Sequence, residues 1–386
     1  MELIWSTKDF VVAGLPCPGF PILLWDTMNS CVPANQFLRN YLFRGAIGSK
    51  RSWSSTGRAI YDFFSFLQAH ELDWRDVDRG EAKSLTYAYR DYCLNHCKLS
   101  SNTIRQRLLY ICKFYEFAFK EKWVKNLPFN YEERTSRRKT GLLEHLDKSG
   151  GKVSVSDAMP RKTKSLPKFL SLSEVQLIID AADNPHHRMM IRLALHTGLR
   201  REEITTFPLS YVRNPDEIGR AERNLRVYLD PHDGSGMTTK RSIPRILYVS
   251  RHLMRELYYY VENVRGERAS LSKSPHRQLF LNRMGEPYGN GGKSFNRVIR
   301  ELGKRVQLNV HTHMLRHTYA THTLSSLQCN PTSGLDPLVF VQRQLGHSSI
   351  QTTMVYLHLV NELADEAVLA YDDELNSMAE ALDGKA

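Results

Sequence analysis

Residues His311 to His322 read HTHMLRHTYATH, four histidines and one arginine in twelve residues. If a helix begins near Thr312, residues three and four apart align, and His313, Arg316 and His317 share one side. Two histidines four apart form a candidate zinc pair, but no glutamate lies between them. Arg316 would also set a fixed cation beside any bound dication. The same grouping suits an anion better. A guanidinium can hold the oxygens of a phosphate while an imidazole exchanges a proton with it. No metal is therefore expected here. His311 and His322 are read as exposed.

Composition agrees with an anionic partner. The chain has 386 residues, with 53 Lys plus Arg against 41 Asp plus Glu, a formal charge of +12. That length allows two domains with separate cores. The six cysteines (Cys17, Cys31, Cys93, Cys97, Cys112, Cys329) are scattered, and only Cys93 and Cys97, in CLNHC, lie close. That pair lacks the second half of a zinc site. The N-terminus has no secretory pattern, and no apolar run approaches the roughly 20 residues needed to cross a bilayer. A soluble, reducing, cytoplasmic setting without membrane attachment is the expectation.

Helical periodicity divides the chain. In TIRQRLLYICKFYEFAFKEKW (103–123), Ile104, Leu108, Ile111, Tyr115 and Phe119 recur every three or four residues, with Ser100, Ser101 and Asn102 as candidate caps. GRAIYDFFSFLQAHEL (57–72) repeats the pattern through Ile60, Phe63, Phe64 and Leu67. Residues 46–132 therefore read as a small helical domain, on which Arg105, Arg107 and Lys113 are candidate phosphate contacts. Residues 133–168 lose the period. They carry two basic clusters, Arg137, Arg138 and Lys139, then Arg161, Lys162 and Lys164, and read as an extended linker, either simply solvated or suited to wrapping around DNA. A new helix opens at SLSEVQLIIDAA, capped by Ser171 or Ser173, and begins a second domain over 169–361. Residues 1–45 have no assigned role.

Within the second domain, TGLRREE (197–203) sets Arg200 and Glu203 on one face after a break at Gly198, either as an ordinary surface ion pair or as a guanidinium oriented for an oxyanion. PHDGSGMTTKRSIPRILYVS (231–250) follows the alternating strand LRVYLD and carries Lys240, with Arg241 adjacent, on a turn or hairpin. VQRQLGHSSIQTTMVYLH (341–358) supplies His347 and, nine residues later, Tyr356. That tyrosine is either a packing residue or a nucleophile whose ionisation nearby cations would ease. No glycine-rich phosphate loop is present, so nucleotide-driven chemistry has no support.

Each box is weak alone. In the order Arg200, Lys240, His313, Arg316, His347, Tyr356, framed by TGLR, HMLRH and LGH, they resemble the tyrosine recombinase (phage integrase) family over roughly 166–359, and 52–130 resembles its core-binding domain more loosely. The turn around Lys240 departs from the family's glycine-lysine-glycine wording. The resemblance implies a mainly α fold with a small β-sheet: a helical, SAM-like core-binding domain and an α+β catalytic domain forming a C-shaped DNA clamp. It implies attack by Tyr356 on a scissile phosphate of double-stranded DNA, giving a 3′-phosphotyrosyl link. Arg200 and Arg316 would brace the non-bridging oxygens, His313 accept the tyrosine proton, Lys240 protonate the leaving 5′-oxygen, His347 position the phosphate and Glu203 orient Arg200. No cofactor is implied. A homo-tetramer on two DNA sites, with accessory DNA-bending or directionality proteins, is implied in a bacterial or phage-encoded, nucleoid-associated enzyme. A type IB topoisomerase and a non-catalytic DNA-binding protein are the rival readings. The acidic tail, 362–386, carries eight acids and one base and is read either as a solvated, frayed terminus or as a segment docking on a neighbouring subunit.

Overall fold

In a computed structural model of the chain, residues 1–43, 50–78, 80, 84–135, 152–163, 166–217, 223–329, 335–357 and 359–360 are described. The chain divides into two compact units, Met1–Lys164 and Ser165–Ala386. Arg137, Arg138, Lys139, Lys164 and the acidic tail lie outside the described residues.

The first unit opens with strands β1 (Glu2–Trp5), β2 (Val11–Val12), β3 (Leu15–Pro16) and β4 (Pro21–Leu24), where β1 pairs with β4 and β2 with β3, both antiparallel. Helices α1 (Val32–Leu42), α2 (Arg51–Ala69), α3 (Leu85–Asn95) and α4 (Ser101–Lys120) follow. Ser100 caps α4 by accepting from the Thr103 amide. Ile60, Phe63, Phe64 and Leu67 of α2 and Ile104, Leu108, Ile111 and Tyr115 of α4 are buried, whereas Phe119 is exposed. The first 43 residues, left without a role by the sequence, belong to this core: Leu23, Phe37, Leu38 and Leu42 are buried within it. The Asn35 side chain bonds both the amide and the carbonyl of Leu23, at 2.8 Å each, tying α1 to β4. Strands this short carry no readable period, and their cohesion comes from partners distant in sequence, such as Phe20 stacked on Phe43.

The linker reading also needs correction. Its ends form an antiparallel pair, β5 (Tyr131–Thr135) with β6 (Lys152–Ser156). Pro160 and Thr163 are tied to α4 by Arg105 and Asn102. The first unit therefore runs past residue 132.

In the second unit come α5 (Leu172–Asp180), α6 (Pro185–Thr197), α7 (Arg201–Thr205), strands β7 (Asn224–Leu229) and β8 (Arg245–Ser250), then α8 (Arg251–Asn263), α9 (Arg265–Ala269), α10 (Lys293–Arg305), α11 (Thr312–Cys329) and α12 (Pro337–Leu345). A capping box between Ser171 and Glu174 starts α5. β7 and β8 pair antiparallel from Asn224–Ser250 to Leu229–Arg245. Leu225, Val227 and Leu229 of β7 turn inward, onto a core shared with α6, α8, α10 and α11. A last helical stretch covers residues 350–357. The fold is mainly α with small sheets.

Candidate active site

Two helix ends build the floor of the site. α6 stops at Gly198, whose φ of 64° is left-handed, and the chain re-enters helix at Arg200, the residue before α7. A Cβ at Gly198 would sit 2.5 Å from Tyr319 and 2.6 Å from Leu345, so glycine is required for space as well as for φ. Glu203, 1 % exposed, accepts from the Arg200 amide at 2.7 Å and from Arg200 Nη1 at 3.0 Å. Arg200 Nη2 donates to the Gly346 carbonyl at 3.2 Å.

Arg316, on α11, is also 1 % exposed. Its Nη1 donates to the Gly198 carbonyl at 2.6 Å and its Nη2 to the Leu345 carbonyl at 2.7 Å. It thus pins the end of α6 to the end of α12. Burial and the nearby Arg200 lower its pKa to about 9, against the opposing pull of Glu203.

The cleft above this floor is lined by Arg200, Lys240, Arg241, Arg245, Gly346 and His347. Lys240 opens a short turn between β7 and β8 and is exposed, followed by Arg241 and Ser242 at φ 62° and 54°. Two successive non-glycine residues in the left-handed region carry strain.

Gln344 seats the end of α12. Its side-chain amide donates to the Tyr248 carbonyl and accepts from the Tyr248 amide, at 2.8 and 3.0 Å, as a strand neighbour of β8 would. α12 then ends on Gly346 at φ 64°, and His347 follows with Nδ1 3.0 Å from Thr353 Oγ1. Burial, then the charges of Arg316 and Arg200, hold His347 down at about 3.

Tyr356 is 1 % exposed and packs with Tyr319, Leu324 and Leu345. Its hydroxyl lies 2.9 Å from Nδ1 of His317. The tyrosine contact given by the structure is thus His317, whereas the sequence reading assigned the proton to His313. His313 is exposed, its ring 4.5 Å from that of His317. Burial raises the Tyr356 pKa against the pull of Arg316 and Arg200. Burial and the neighbouring His313 and Arg316 push His317 down to about 3. Both shifts keep the proton on the phenol.

A model of the phage integrase family matches residues 168–362. The chain belongs to this family. Tyrosine recombinase XerC of Bacillus licheniformis is 26 % identical over 322 residues, covering 81 % of this chain and 87 % of that protein. Tyrosine recombinase XerA of Pyrococcus horikoshii is 27 % identical over 282 residues, covering 70 % and 87 %. Among solved structures, the Tn1549 transposon integrase in complex with a circular intermediate DNA superposes with a TM-score of 0.54 at 17 % identity, over 84 % of this chain and 94 % of that one. A lambda integrase dimer bound to a COC′ core site gives 0.53 at 14 %, over 84 % and 76 %. The protein is a tyrosine-type site-specific DNA recombinase.

In this recombinase Arg200, Lys240 and His347 line one cleft, with Arg316 buried in its floor, and Tyr356 is buried beside His317. His322, read as exposed, is half-buried and donates from Nε2 to the Leu170 carbonyl at 2.8 Å. Among the described residues, no group of three His, Cys, Asp or Glu side chains could hold a metal ion.

The expected phosphate contacts of the first unit fare differently. Arg107 is partly buried, paired with Asp62 at 2.5 Å and bonded to Tyr89. Lys113 pairs with Glu116 at 2.7 Å, and Arg105 donates to the Pro160 carbonyl. All three thus have partners within the first unit. Arg161 and Lys162 are exposed.

Two residues of the site escaped the sequence reading. Arg245 clasps Glu203 through both Nη atoms, at 2.8 Å each. His317 was seen only as half of a metal pair. A pairing between a strand and a helix end 42 residues apart leaves no local pattern; the proline before Arg245, marking the start of β8, was the one signal that it opens a strand beside the turn.

Proposed function

We propose that this recombinase exchanges DNA strands through Tyr356, in integration, excision or transposition of a mobile element. One observation carries the reading: two guanidinium groups, Arg200 and Arg316, bond to the neighbouring carbonyls of Gly346 and Leu345, directly before His347, and so converge on one turn at the cleft wall. A phosphodiester placed there meets two fixed cations where negative charge grows as the phosphorus becomes pentavalent. Tyr356 Oη forms the new bond to phosphorus while the bond to the 5′-oxygen breaks, so the bond energy is kept in a 3′-phosphotyrosine. The phenol loses its proton to His317 as the bond forms, and His313, the next ring outward, relays it. Lys240 gives a proton to the departing 5′-oxygen. His347 orients the phosphate, and Glu203 orients Arg200. A 5′-hydroxyl from a second duplex then reverses the attack, and strands are exchanged.

Double-stranded DNA is the proposed partner, with four copies of the chain joining two sites. The formal charge of +12 supports a polyanion, and exposed Arg161 and Lys162 are the candidate backbone contacts of the first unit.

The test uses DNA flanking the gene, nicked near the cleavage position so that the freed fragment diffuses away and the covalent adduct accumulates. Wild-type protein should give a denaturant-resistant protein–DNA band. Tyr356→Phe should retain the gel shift, because it loses one oxygen and little surface, and form no adduct. Adduct at the wild-type level in Tyr356→Phe would show that the nucleophile lies elsewhere.

A further inference from the structure

A carboxylate has about four lone-pair positions, and on Glu203 all are used. Arg200 fills two, from its amide and Nη1, and Arg245 fills the other two, from Nη1 and Nη2. With Arg200 as sole partner, the carboxylate would cancel the charge that the phosphate needs. Arg245 supplies a second, bidentate cation to the same carboxylate, so Arg200 gives it only Nη1, while Nη2 reaches the Gly346 carbonyl at the cleft wall. Arg245 also reaches the opposite wall. Its Nε donates to the Gln344 carbonyl at 3.3 Å. Its Cδ lies 2.8 Å from where a Cβ of Gly346 would stand, so the last turn before His347 rests on its stem. Five positions before it in the same strand connection is Lys240.

We propose that Arg245 is a positioning residue that sets the orientation of Arg200, through Glu203, together with the seat of the His347 turn. It rests on the reading of the cleft as the strand-transfer site. A lysine cannot replace it: an ammonium offers a point charge on a flexible stem, without the planar fork that meets both carboxylate oxygens or the Nε that reaches Gln344.

The test separates rate from binding. Arg245→Ala would leave a buried carboxylate short of a partner and risks unfolding, so the informative variants are Arg245→Lys, Glu203→Gln and the two combined. Single-turnover adduct formation on the nicked substrate is measured at saturating protein, alongside half-site affinity and melting temperature. Arg245→Lys should slow adduct formation by about 100-fold, as an ångström-scale misplacement does, while affinity changes less than about threefold. In the Glu203→Gln background the same substitution should cost under about tenfold, because the residue through which it acts on Arg200 is already altered. Equal cost in both backgrounds, a wild-type rate for Arg245→Lys, or a loss in affinity alone would overturn the proposal. Arg200→Ala and Tyr356→Phe are run in parallel. If they retain adduct formation, the strand-transfer reading itself falls; if they abolish it while Arg245→Lys remains at the wild-type rate, only the role of Arg245 falls.

Discussion

In the proposed reaction Tyr356 and His317 are a pair held idle by their surroundings. The phenol is held above its ordinary pKa and the imidazole below its own, so proton transfer is uphill until formation of the oxygen–phosphorus bond lowers the phenol oxygen's hold on its proton. In the proposed reaction Lys240 faces a different demand, since it would meet an alkoxide as that leaves. It is exposed on a strained turn beside Arg241, and either cation reaches the cleft. Lys240→Ala should slow cleavage by about 10²–10⁴-fold on ordinary DNA and recover on a substrate with sulfur at the 5′-bridging position, because a thiolate leaves without a proton. Recovery seen for Arg241→Ala and not for Lys240→Ala would move the role by one residue. The sequence left the choice between these adjacent cations open, and both line the cleft.

Helix ends set most of the site geometry. Gly198 and Gly346 both end helices in the left-handed conformation, and the carbonyls around them receive Arg200 and Arg316. The break at Gly198 was legible because glycine after an apolar helical run is a local signal. Its second duty, the close approach of Tyr319 and Leu345, was not. Gly198→Ala should destabilise the second unit by about 1–3 kcal/mol for the left-handed φ, with more from the steric clash. At roughly 2–4 °C per kcal/mol for a unit of this size, calorimetry should show the melting temperature of the second unit lowered by several degrees and that of the first unchanged. An unshifted transition would mean that α6 and α12 tolerate separation.

At the scale of the whole molecule, acid is the expected weakness. His317 and His347 are held at about 3 and His313 at about 4, against an ordinary 6.5. Folded protein keeps them neutral while the unfolded chain takes up protons below about pH 6.5. The unfolded state then binds more protons, so stability is complete above 6.5 and falls with pH below it. Glu203 adds to this: burial opposes its charge, yet hydrogen bonds and charge from Arg245, with Arg200 and Arg316, hold it at about 2 against an ordinary 4.5. Its contribution is present above 4.5 and lost toward 2. Thermal melts should therefore be level above about pH 7, decline below 6.5 and steepen below 4.5; a midpoint unchanged from about pH 7 to 4 would contradict neutral histidines in the folded site.

The sequence by itself determined the family, the order of Arg200, Lys240, His313, Arg316, His347 and Tyr356, the two helical registers of α2 and α4, and the short runs within which α4 and α5 are capped. The registers and caps depend on residues within a few positions of one another, the range over which helical spacing and end capping act, and the family shows in short local motifs taken in order. Only the tertiary structure decided that Arg245 clasps Glu203, that Tyr356 meets His317 and is buried, that Arg107 is occupied by Asp62, and that the first 43 residues belong to the core of the first unit. These are pairings of charged, aromatic and short-strand residues across long stretches of chain. Their partners are selected by packing and desolvation in the folded state, and no local period records that selection.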